Sequence, residues 1–300
     1  MLKIYGIDVS HHQGVIDWAT VAKELRRVNG GTSPGFAILR AGYSARHGNG
    51  GLYVDSQLLR NIKGCEEYGI PMGIYVYCYD RSAAAAALTA EQTVKIISGH
   101  KFDYPIYYDV EYEPFNKTCG KAVNTALIKS ALNVFEKAGY YAAVYCSRDF
   151  FVNYTDLGAL GNYDKWEAAY TKTDTNTVQN GLWQYSSKNA LGISGFGASL
   201  DCDVAYTDYP AIMRTKGLNG YPKTSTPTTA DNGNEQLQIP TIGPMSKGDY
   251  DALLKTAADN GSAPTLYTVT MQAMSTAAAS VLQQKADALG VHYTSKWVED

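Results

Sequence analysis

Residues 103–111 read Asp103-Tyr104-Pro105-Ile106-Tyr107-Tyr108-Asp109-Val110-Glu111. After its proline the run is apolar and rich in strand-favouring residues, and it ends in two carboxylates. A short continuous apolar run of this kind predicts a buried strand. Residues i and i+2 of a strand point to the same face, so Asp109 and Glu111 are expected on one side, close enough to feel each other. Two nearby carboxylates resist ionising together, and one keeps its proton to a higher pH than usual. Cleavage of a glycosidic bond uses such a pair, one acid to protonate the leaving oxygen and one anion to stabilise the cation-like sugar. A solvated pair of acids at a strand end would carry the same D-x-E spelling, so the context has to decide.

Working outward, apolar strand-like runs recur near 3–9, 36–41, 72–78, 141–146, 165–170, 181–185 and 201–206. Helix-like segments at about 17–28, 54–68, 89–99 and 121–138 separate the early ones. Strand alternating with helix implies parallel βα units. Beyond the fifth strand the gaps are shorter and rich in Thr, Asn, Ser and Gly, leaving little room for full helices. Eight strands with helices in the first half alone predict an irregular α/β barrel, (β/α)5β3, and not a regular (β/α)8. In such barrels the site lies at the C-terminal ends of the strands, where the loops converge. Asp8, Tyr43, Tyr77, Tyr79, Glu111, Tyr145 and Tyr170 all fall at or just past strand ends.

Six pieces, in order, supply the context: GIDVSHHQGVIDW at 6–18, AILRAGY at 37–43, GIYVYCY at 73–79, IYYDVEY at 106–112, LWQYS at 182–186 and LDCDVAYTDYP at 200–210. Together they resemble the glycoside hydrolase family 25 lysozymes, also called Chalaropsis-type muramidases, over almost all of residues 1–215. The resemblance implies the (β/α)5β3 barrel. It also implies hydrolysis of the β-1,4 bond between N-acetylmuramic acid and N-acetylglucosamine in bacterial peptidoglycan.

On that resemblance Glu111 is the general acid, its pKa raised by the charge of Asp109 and by partial burial. Asp109 is its anionic partner, orienting the substrate's own N-acetyl group as internal nucleophile; inversion through a water activated by Asp109 or Asp201 is the other possibility. Asp8 and Asp201 match the family's remaining active-site acids. Asp203, two residues on, would face the same way as Asp201, but Leu200-Asp201-Cys202 fits the family pattern better. Tyr77, Tyr79, Tyr145 and Trp183 are candidate walls of a sugar groove, and Gln184 a hydrogen-bonding partner for a sugar hydroxyl or N-acetyl oxygen. Arg40 is expected to pair with a buried acid, and His11 and His12 to shape a loop. A non-catalytic peptidoglycan-binding protein on the same barrel would lack Asp109 or Glu111. An amidase or peptidase would need a metal or a Cys/His nucleophile.

Composition sets the remaining bounds. With a formal net charge of −3 and no Lys/Arg cluster, nucleic acid is not an expected partner. No stretch is long and apolar enough for membrane insertion, and the first strand begins at once, without a signal-peptide pattern. The five cysteines include no C-x-x-C and read as free thiols of a protein made in a reducing cytoplasm. That favours a phage endolysin that reaches the wall through a holin pore. The five histidines show no ligand spacing, so neither metal nor other cofactor is expected.

Gly, Pro, Thr and Asn dominate residues 217–236, which read as a linker between a barrel over 1–216 and a module over 237–300. The module repeats with a period of 29: Met245-Ser246, Leu253, Ala257 and Gly261 recur as Met274-Ser275, Leu282, Ala286 and Gly290. The order βαβαβ predicts a small α+β unit, a three-stranded sheet with two helices. Its expected roles are cell-wall binding, which raises the local concentration of the barrel at its substrate, and homo-oligomerisation through an open strand edge.

Overall fold

The computed structural model describes residues 2–223 and the strand pair 237–242 and 293–298. The chain divides into two units, Met1–Thr224 and Ser225–Asp300. In the first, eight strands close a barrel: β1 (Ile4–Val9), β2 (Phe36–Ser44), β4 (Met72–Tyr77), β5 (Ile106–Asp109), β6 (Ala142–Ser147), β7 (Asp164–Ala168), β8 (Leu182–Ser186) and β9 (Asp201–Ala205). A short β3 (Leu52–Val54) hairpins onto β2 outside the ring. Neighbours from β1 through β8 run parallel, whereas β9 is antiparallel to both β8 and β1 and closes the ring. The register pairs Asp8 with Asp201 and Gly6 with Asp203.

Helices α1 (Trp18–Val28), α2 (Leu58–Tyr68), α3 (Ala83–Ile97) and α5 (Lys121–Lys137) cover the first half, with a one-turn α4 (Glu113–Asn116) after β5 and a short α6 (Arg148–Tyr154) after β6. The segments joining β7 to β8 and β8 to β9 contain no helix. The expected (β/α)5β3 architecture is therefore what the chain adopts. Helix α3 starts earlier than 89, because Ser82 caps it by accepting a hydrogen bond from the Ala85 amide. The alanine run at 83–87 is thus its first turn, and Ala85 and Ala86 are buried, since small side chains let α3 approach its neighbours. None of the described helices is long and apolar enough to cross a membrane.

Strand alternation divides two cores. Ile7, Val9, Leu39, Ile74, Val76, Ile106, Tyr108 and Val144 face the helices. Phe36, Ile38, Tyr107, Ala143, Trp166 and Leu182 fill the barrel. Trp166 lies central to this filling, edge-on to Tyr145 at 4.5 Å, Tyr107 at 5.0 Å and Tyr75 at 5.9 Å. Below it, Phe36 stacks on Tyr104 at 4.4 Å, and Tyr209 of α7 (Tyr209–Lys216) packs against Tyr104, plugging the N-terminal end. Gly6 makes room for this layer: a Cβ there would lie 2.5 Å from the Phe36 ring. Gly6→Ala should lower stability by about 1–3 kcal/mol through overpacking, measured as a fall in thermal midpoint.

Residues 217–223, read from composition as the start of the linker, belong instead to the barrel. Fully buried Asn219 donates its backbone N–H to Gly139 O and accepts from Phe102 N. Its side chain accepts from Tyr141 N at 2.7 Å and donates to Tyr104 O at 2.7 Å. In the second unit, β10 (Leu237–Ile242) and β11 (Tyr293–Val298) pair antiparallel. The two helices and the middle strand expected between them lie outside the described residues.

Candidate active site

At the C-terminal rim of the barrel a cavity of about 300 Å³ is lined by Asp8, Arg40, Tyr75, Tyr77, Asp109, Glu111, Tyr145, Tyr170, Gln184 and Asp201. Four acids reach it from three strands. Asp8 is the last inward position of β1, and Asp109 ends β5 with Glu111 two residues beyond. Asp201 arrives from the other direction: because β9 is antiparallel, its first residue sits at the rim where the parallel strands end. Asp203 points inward as well but lies one layer deeper, fully buried, with Oδ1 accepting from Trp166 Nε1 at 2.8 Å.

Gln184 organises the floor. Its Nε2 donates to Asp8 Oδ2 at 2.8 Å, and its Oε1 accepts from both Tyr145 and Tyr170 hydroxyls at 3.0 Å. Arg40 is buried against Asp55, Nε to Oδ2 at 2.7 Å, with His11 Nδ1 beside its Nη2. Asp55 also accepts the His11 backbone N–H at 3.0 Å. The turn after β1 is closed by a capping box between Ser10 and Gln13. His11 thus shapes this loop, and Arg40 is fixed in its ion pair.

Burial dominates the electrostatics. It raises Asp8, Asp109 and Asp203 well above the usual carboxylate range. Asp109 is pushed further by the charges of Glu111 and Asp8, with Arg40 opposing. Asp201, nearer solvent, is raised by burial to about 6. Glu111 is raised to about 7, first by burial and then by the charges of Asp201 and Glu113. The sequence reading gave partial burial and the charge of Asp109 as causes; burial is the larger one, and the charges that add to it come from Asp201 and Glu113. Asp201→Asn should therefore move the alkaline limb of any Glu111-dependent activity toward lower pH, by removing a negative charge that opposes Glu111 ionisation; an unmoved limb in a pH–kcat/KM profile would contradict this.

The structure gathers Glu111, Asp109, Asp8, Asp201, Tyr77, Tyr145 and Gln184 at one cavity. Two expected sugar-facing residues stand elsewhere. Trp183 precedes Gln184 on β8, and adjacent strand residues face opposite sides, so its indole lies on the outer wall with Nε1 bonded to Ala169 O. Tyr79 lies past the end of β4 in a rim cluster with Tyr77 at 4.9 Å and Tyr112 at 4.8 Å, outside the cavity lining. Gln184, expected to bond sugar, lines the cavity while its Nε2 holds Asp8 and its Oε1 holds the two tyrosines. Tyr170, expected at the rim, lines the cavity, whereas Tyr75 was not anticipated. Tyr75 was within reach of the sequence, being two residues before Tyr77 on one strand. Among the described residues no group of three or more His, Cys, Asp or Glu is placed to hold a metal ion.

The described barrel matches known proteins over the same region. The glycosyl hydrolases family 25 model matches residues 7–193. The uncharacterized protein YegX of Escherichia coli K12 is 30% identical over 197 residues, 64% of this chain and 66% of the relative. The modular autolysin LytC of Streptococcus pneumoniae is 29% identical with a TM-score of 0.56, covering 68% of this chain and 47% of LytC, so the match takes in about half of that protein. The lysozyme of Streptomyces coelicolor, 19% identical with a TM-score of 0.57 over 73% of this chain and 98% of its own, shares the fold. A closed barrel with an antiparallel last strand, the acids gathered at its rim and a family match over most of that barrel lead to one conclusion: the chain belongs to glycosyl hydrolases family 25.

Proposed function

We propose that the protein is a lysozyme, an N-acetylmuramidase that cuts the β-1,4 bond between N-acetylmuramic acid and N-acetylglucosamine in peptidoglycan. The observation that carries this reading is at Asp109. It is 2% exposed, and among the described residues its buried Oδ1 has no hydrogen-bond partner, beside a Glu111 whose pKa is raised to about 7. Buried acceptors are rarely left open, and the N–H of a substrate acetamido group fits this one. With that N–H held, the acetamido oxygen is turned toward the anomeric carbon. Its C–O bond forms as the glycosidic C–O bond breaks, and Glu111 gives its proton to the departing oxygen. Water then opens the oxazolinium ion, returning a proton to Glu111, so that configuration is retained. Asp201, at the rim, supplies negative charge opposite the cation.

That LytC has been solved in complex with a synthetic peptidoglycan ligand supports wall glycan as substrate. Mass spectrometry of digested sacculi tests the reading. New reducing-end N-acetylmuramic acid is expected; reducing-end N-acetylglucosamine alone, or released stem peptides, would overturn it.

The site of action in this proposal is the bacterial cell wall. The five free cysteines, four of them buried, fit synthesis in a reducing cytoplasm and endolysin-like release through a holin pore. Residues 237–300 would hold the enzyme on the wall or pair two copies. Truncation after Lys223, which keeps the Asn219 clamp, should preserve hydrolysis of soluble muropeptides and slow lysis of whole cells. Equal lysis rates would remove wall binding as the module's role.

A further inference from the structure

We infer that the barrel carries a second glycan-binding groove on its outer wall, separate from the catalytic cavity, that takes a carboxylate-bearing peptidoglycan strand. The inference rests on the proposed peptidoglycan substrate. The groove lies where the second half of the barrel lacks helices: Tyr5 of β1, Trp183 and Tyr185 of β8 and Val204 of β9 face outward there, flanked by loop residues such as Thr171, Lys172 and Leu191. Its volume is about 1180 Å³, and it shares no residue with the catalytic cavity. That exceeds the usual span of a small-molecule pocket, roughly 300–1,000 Å³, and suits an extended ligand of several rings.

The lining defines the ligand's chemistry. Trp183 and Tyr185 of β8, Tyr5 of β1 and Tyr206 just after β9 supply four aromatic rings. Trp183 and Tyr185 lie 5.5 Å apart, and Tyr5 meets Tyr185 edge-on at 6.3 Å. Among the described residues the Tyr5 and Tyr185 hydroxyls bond to no other group, so flat apolar faces with polar ends line the groove, the pattern that fits a sugar ring. An extended peptide is a poor fit: β1, β8 and β9 are each paired on both sides, leaving no strand edge to extend.

Charge selects further. Lys3 and Lys172 are exposed at the groove and have no carboxylate partner among the described residues, while Arg27 pairs with Glu24. The acid at the groove, Asp174, is already engaged by the Asn176 N–H and the Asn180 amide. Two unpaired cations beside rings, on a chain of net charge −3, complement the lactyl and stem-peptide carboxylates of a wall glycan. Strand β8 then serves two sites, with Gln184 inward at the catalytic floor and Trp183 and Tyr185 outward in the groove.

The test uses the full chain. In a Glu111→Gln background, Tyr5→Ala/Tyr185→Ala and Lys3→Glu/Lys172→Glu should each weaken binding to teichoic-acid-free sacculi about tenfold. With Glu111 restored, both pairs should turn over a short soluble muropeptide within about twofold of the parent. A local readout isolates the groove from the C-terminal module: the Trp183 indole N–H resonance should shift when soluble glycan strands are added. Unchanged binding together with an unmoved resonance overturns the inference, as does loss of binding to purified teichoic acid alone. Parallel losses of binding, soluble turnover and thermal midpoint in both pairs would mean packing only, and overturn it too. If the unsubstituted protein cuts no glycan while the variants still lose binding, the muramidase reading fails and the groove stands.

Discussion

Replacing Glu111 with glutamine should reduce glycan hydrolysis by about 10²–10⁴-fold, the usual contribution of a general acid, while the protein stays folded. The amide keeps the shape of the side chain and removes the transferable proton. Turnover of soluble muropeptide within tenfold of the parent would sink the assignment. The same substitution should act on stability in the opposite direction, and the sign follows from the pKa. Glu111 titrates at about 7 in the folded chain against an ordinary 4.5, so folding favours its neutral form. The stability it contributes is complete below pH 4.5 and is lost as pH rises through 7. At pH 8 the parent therefore carries a buried charge that the glutamine variant lacks. The variant should be more stable there by roughly 2–3 kcal/mol, and close to the parent at pH 4. Melting curves at the two pH values check this.

Asp109→Asn should cost about 10²–10³ in kcat, comparable to removing one preorganised electrostatic group, because an amide supplies no negative charge to the cation formed on the acetamido group. Its pH behaviour separates it from the other acids. The charges that raise Glu111 are those of Asp201 and Glu113, and Asp109 is not among them. The alkaline limb of kcat/KM, which reports the free enzyme, should stay in place in Asp109→Asn and shift in Asp201→Asn. A limb that moved toward acid in Asp109→Asn would mean that the charge of Asp109 also raises Glu111.

Depth within the barrel is what the sequence conceals. Asp201 and Asp203 are both acids on one face of one strand, and alternation treats them alike. The barrel places Asp201 at the rim and Asp203 under Trp166. The same holds for Trp183 and Gln184: the LWQYS motif names both, and only strand parity within the closed ring sends one outward and the other to Asp8.

By itself the sequence determined the order of strands and early helices, the rim position of Asp8, Asp109 and Glu111, and the ion-paired role of Arg40. These depend on local periodicity and on residue types that behave alike wherever they are buried. Tertiary structure alone decided the antiparallel entry of β9, which brings Asp201 to the same rim, and the docking of residues 217–223 through Asn219. It also decided the identity of the charge that raises Glu111. Each of these is set by contacts between residues up to two hundred positions apart, and composition or spacing within a segment carries no record of what a distant segment will place beside it.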